Sequence, residues 1–91
     1  MNVQVLHAEM KHDEKTGYLG NVGFSVEGHK QPYELTLQSD RDLDDWNYSI
    51  HFLNESGSEE QLDLVERAIE EEDELFDKLL IAALEAAGVS Y

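Results

Sequence analysis

Cysteine is absent from this 91-residue chain. That excludes disulfides, thiolate metal sites and a thiol nucleophile. Proline occurs once, at Pro32, and cationic side chains are scarce: 6 Lys and Arg stand against 21 Asp and Glu, a formal net charge of −15. No basic patch can be assembled from so few cations, so direct binding to nucleic-acid phosphates is not expected. Anionic membranes are disfavoured for the same reason. Long apolar runs are missing too. The longest, "LLIAALEAAGV", is interrupted by Glu85 and is too short to span a bilayer. Residues 1–10 lack a charged start followed by an apolar block, so no secretory leader is expected. A cytoplasmic location fits these absences.

What the chain has in excess is acid, unevenly placed. Residues 54–91 hold twelve acids and two bases, and residues 1–53 hold nine and four. The run "IEEEDELF" sets five acids in a row, Glu70 to Glu74. Such a surface favours a basic protein partner electrostatically. A charge run of this kind is more usually the solvated outer face of an amphipathic helix.

The first half of the chain alternates with period two. Tyr18, Gly20, Val22, Phe24 and Val26 fall on one face; so do Tyr33, Leu35 and Leu37, and then Trp46, Tyr48, Ile50 and Phe52. This is the pattern of antiparallel strands with one buried face. The opening "NVQVLHAEMK" also reads as a strand, but its apolar phase slips between Val3/Val5 and Leu6/Ala8/Met10, which predicts a bulge or twist. Turn formers separate the runs at 11–17, 27–32 and 39–45. Strands are expected near 2–10, 18–27, 33–39 and 46–54, joined as a meander.

The period then changes to 3.6. Ser58 and Gln61 form a capping-box pattern, and Gly88, just after the last periodic residue, is expected at C′. Leu62, Val65, Ile69, Phe76, Leu80, Ala83 and Ala87 make a stripe that stays in phase across the acidic run. No Gly or Pro interrupts it, so one helix over 58–88 is predicted, roughly 45 Å long. The fold class is therefore α+β: a four-stranded antiparallel meander over 1–54 and one long C-terminal helix on one sheet face, in a single domain over 1–91. The expected core is Phe24, Leu35, Leu37, Ile50, Phe52, Ile69, Phe76 and Leu80.

The areas do not match. A four-stranded sheet is about 15–20 Å wide and one helix about 10–12 Å across. A second apolar line runs beside the first, through Leu64, Ala68, Leu75, Leu79, Ala82 and Ala86. Self-association would cover the surplus. The expected interaction surface is therefore Leu64, Leu75, Leu79, Ala82 and Ala86 as an antiparallel homodimer seam, with Glu70, Glu71 and Glu74 as the acidic face.

Chemistry-bearing patterns are weak. Asp40, Asp42, Asp44 and Asp45 resemble the start of a calcium loop, but an EF-hand needs Gly at its sixth position and Glu at its twelfth, where Asp45 and His51 stand. His7, His12, His29 and His51 show no zinc-site or di-iron spacing. No nucleophile elbow, P-loop or dinucleotide fingerprint occurs. Gly20 and Gly23 lie inside a strand pattern and read as sites of close packing or a bulge. Trp46, Tyr48 and Phe52 share a strand face that serves either as core or as pocket lining. No catalytic residue, metal or cofactor is expected. The chain reads as a small acidic, non-enzymatic interaction or regulatory protein that self-associates. The alternative is an anionic inhibitor, a nucleic-acid mimic or immunity-type protein, that blocks a basic site on its target.

Overall fold

The computed structural model describes residues 2–15, 17–39 and 46–88. The Asp-rich stretch 40–45 and Tyr91 lie outside them. Alternation in the first half yields four strands: β1 (Val3–Asp13), β2 (Gly17–Val26), β3 (Tyr33–Ser39) and β4 (Trp46–Phe52). They pair antiparallel in the order β1-β2-β3-β4, as a meander should. Ladder pairs such as Val22↔Leu35 and Leu35↔Ile50 put the apolar set of every strand on one face.

The phase slip in β1 is a bulge. Val5 pairs with Phe24 and His7 with Gly23, so Leu6 is the extra residue. The insertion turns Ala8 and Met10 to the side already occupied by Val3 and Val5. Without it, half of the apolar residues of β1 would face solvent. Leu6 is left half exposed.

The period-3.6 segment forms two helices, α1 (Glu59–Glu71) and α2 (Asp73–Ala86), where one was expected. They meet at Glu72, whose backbone is extended (φ −108°, ψ 96°) and which caps the end of α1 and the start of α2. At the entry to α1 the Ser58 hydroxyl accepts the Gln61 amide at 3.3 Å. Half of the capping box is diverted: the Gln61 side chain accepts the Lys30 amide at 3.0 Å, tying α1 to the β2–β3 turn. At the far end Gly88 takes φ 76°, a left-handed conformation that glycine adopts without a Cβ clash.

The break resolves the mismatch of areas. α1 packs on β4, and α2 packs on β1 and β2. Two helices of about 10 Å each span a four-stranded sheet. Of the residues expected in the core, Phe24, Leu35, Leu37, Ile50, Ile69 and Leu80 are buried, and Phe52 and Phe76 pack against the core half-buried. The break also re-aims α2. Leu75, Leu79, Leu80, Ala83 and Leu84 are buried, about half of the helix circumference. Lys78 reaches back from α2 and donates to the Val3 carbonyl at 3.0 Å, partly covering the edge strand β1. Among the described residues, no helix is long and apolar enough to cross a membrane.

Candidate functional site, an aromatic and acidic groove

Trp46 and Tyr48 stand on the helix side of β4, as alternation requires, but β4 is the edge of the sheet. α1 covers it only in part, so Trp46 stays half-buried and Tyr48 exposed. Phe76, near the start of α2, leans on Tyr48 with ring centroids 5.5 Å apart at 50°. Ile69 of α1 closes the floor. Glu70, Asp73 and Asp77 come from the two sides of the bend and form the rim. Together these seven residues line an open groove of about 520 Å³. Their spacing explains the convergence. Residues 69, 70, 73, 76 and 77 follow the i, i+3, i+4, i+7 rule of one helical face, and the bend keeps that face turned towards β4.

The electrostatics of the groove are anionic. The Tyr48 phenol is held above its ordinary titration range, first by burial and then by the charges of Glu70 and Glu66. Ring faces carry negative quadrupole, so an aromatic floor and a carboxylate rim attract the same ligand, a cation with an apolar stem.

The expected dimer seam is not a surface. Leu75 and Leu79 are buried in the core, at 7% and 0% exposure, because the bend turns them towards the sheet. Leu64 is exposed, Ala82 half-buried and Ala86 exposed. Hence the Leu64, Leu75, Leu79, Ala82 and Ala86 line does not form one patch. Glu70, Glu71 and Glu74 are all exposed; of these, Glu70 lines the groove.

The histidines are spoken for. His12 stacks on Tyr18, with ring centroids at 4.5 Å. His29 Nδ1 shares a 2.8 Å hydrogen bond with the hydroxyl of Tyr33, a phenol whose titration is raised by burial. His7, Gly23, Glu34 and His51 occupy one row across the open face of the sheet. His51 Nε2 lies 2.9 Å from Glu34 Oε1, and His7 Nε2 lies 3.8 Å from Glu34 Oε2. Among the described residues no group of three His, Cys, Asp or Glu side chains is placed to hold a metal ion.

Sequence reasoning did not name Asp73 and Asp77 as site residues: they share the helical face of Ile69 and Phe76, and what makes that face a groove is the placement of β4 beside it, a tertiary contact. The signal for Trp46 and Tyr48 was present: a bulky aromatic alternation on the last strand of a meander, which must be an edge. No protein-family profile matches this chain, and no curated protein or solved structure is significantly similar to it.

Proposed function

We propose that the protein is a small acidic interaction module that receives a basic segment of a partner protein in the groove between β4 and the helix bend. One observation carries this reading: the groove sets Trp46, Tyr48 and Phe76 beneath Glu70, Asp73 and Asp77. A lysine or arginine side chain fits both parts. Its methylenes lie along the rings and its charge meets the carboxylates. Each cation–aromatic contact contributes about 0.5–2 kcal/mol, more as water is excluded.

Trp46 is the sole tryptophan, so its fluorescence reports on the groove directly. An Arg/Lys-rich peptide titrated into the protein at low salt should shift that emission, and an acidic peptide should not. Glu70→Gln and Asp77→Asn should weaken binding several-fold. Glu85→Gln, an exposed acid of α2 outside the groove, should leave it unchanged.

The anionic-inhibitor reading is favoured by a different feature. Exposed acids run along both helices, from Glu59 and Glu60 through Asp63, Glu66 and Glu74 to Glu85, a charged layer that extends well beyond the groove. If that layer is the binding surface, the three neutralising variants weaken binding equally, and affinity for a basic protein falls steeply as salt screens it. An equal loss across the three would sink the groove and favour the inhibitor.

A further inference from the structure

We propose that α2 exchanges between two copies of this chain when the bend at Glu72 straightens, giving a dimer in which each sheet is covered by its own α1 and its partner's α2. The inference does not rest on the groove's function. Three observations lead to it.

The first is phase. Ile69 and Phe76 are seven apart, so a straight helix rotates one from the other by only about 20°. The stripe Leu62, Val65, Ile69, Phe76, Leu80 continues through the break, with no Gly or Pro to forbid a straight form. The second is the bend itself. It consists of one residue, with no side-chain cap on the α2 terminus. Across it run hydrogen bonds from the Glu72 amide to Ala68 (2.7 Å) and from the Leu75 and Phe76 amides to the Glu72 carbonyl (3.1 and 3.4 Å). Straightening would add the regular ladder bonds from Asp73 to Ile69 and from Glu74 to Glu70. The third is what α2 covers. Leu75, Leu79, Leu80, Ala83 and Leu84 are buried under it, and α2 lies on β1 and β2 while α1 lies on β4. A monomer with a straight helix would strip that half of the sheet. The one occupant that restores every lost contact is an identical α2, which is the logic of domain swapping. Asp73, Phe76 and Asp77 of the groove would then come from the second copy.

Charge opposes the exchange. Straightening restores the like-charged Glu70–Glu74 spacing, and two copies of a −15 chain repel. Salt should therefore promote it.

The test is refolding from urea, dilute and concentrated, in low salt and in about 1 M salt, where the Debye length is about 3 Å. Size-exclusion chromatography with light scattering reads the products. Concentrated refolding in high salt should yield a dimer that persists on dilution, because α2 must leave the core to revert. Glu72→Ala, which favours helix at the hinge, should raise the dimer fraction several-fold. Asp73→Pro places proline at the first position of α2 and holds residue 72 in its extended conformation, so the dimer should disappear while helical circular dichroism is kept. A dimer that survives in Asp73→Pro, or Glu72→Ala that refolds only as monomer at every concentration, would overturn the proposal.

Discussion

Leu79 separates the two arrangements of the helical segment most sharply. In a single straight helix it lies on a free seam, and Leu79→Arg yields a folded monomer. In the bent arrangement its side chain is fully buried between α2 and the sheet. Leu79→Ala then removes three buried carbons. At about 0.8 kcal/mol each, transfer alone costs about 2.4 kcal/mol. The cavity left behind brings the total to about 2–5 kcal/mol. A chain of this length has about 5–14 kcal/mol of stability in all. Leu79→Ala should therefore fold with its margin much reduced, and Leu79→Arg, an unpaired buried charge, should not fold. The control is Leu64→Ala. Leu64 is 53% exposed, so its loss should stay within about 0.5 kcal/mol. Urea unfolding followed by circular dichroism measures both. With an m-value of about 1 kcal/mol/M, a loss of about 3 kcal/mol moves the midpoint by about 3 M. If Leu79→Ala costs less than about 1 kcal/mol, or if Leu64→Ala matches it, α2 is not seated on the sheet as described.

Ser58→Ala should cost about 1 kcal/mol by removing the cap on the Gln61 amide, read from the same urea curves. Ultraviolet titration should place the Tyr48 phenol above the ordinary tyrosine value of 10.0, and Glu70→Gln should lower it. Its folded pKa is raised, so the associated stability is complete below pH 10.0 and is lost as pH rises through the folded value; a melt series at alkaline pH reads this sign. Gly23→Ala should displace the His7 ring, since a Cβ there would run into His7 Cε1. His7 is an exposed side chain free to move, so the loss of its Glu34 contact in imidazole NMR shifts should come with little change in stability.

Which parts of this molecule were legible beforehand follows from the range of the interactions that decide them. Alternation in β2, β3 and β4 is a local signal, and it named the buried face correctly down to Tyr33, Leu35 and Leu37, all at 0% exposure. The bulge at Leu6 was legible as a phase slip for the same reason. The break at Glu72 was not. No Gly or Pro marks it, and the apolar stripe runs through it in phase. What decides it is an area, the uncovered half of a sheet, and area is a property of the assembled layers. The error then spread to the site. Leu75 and Leu79, read as a surface seam, are core, and of the acids read as the acidic face, Glu70, Glu71 and Glu74, Glu70 alone lines the groove. The row of His7, Gly23, Glu34 and His51 depends on strand register, which no local pattern reports.

The acidic run has a consistent place in this account. In a continuous helix Glu70 and Glu74 sit four apart, and such like-charged pairs each cost about 0.2–0.5 kcal/mol. Helical order is therefore weakest where five acids stand together, and a bend there gives up the least. The bend seats α2 on β1 and β2, and the burial of a single leucine such as Leu79 contributes about 1.5–3 kcal/mol. Burial of four such leucines and Ala83 outweighs the few ladder bonds lost at Glu72, each about 0.5–1.5 kcal/mol net. Beside the bend, Glu70, Asp73 and Asp77 line the groove with the rings of Trp46, Tyr48 and Phe76. One feature of the sequence thus weakens the helix at the point where the sheet needs it broken, and lines the aromatic groove beside that point with carboxylates.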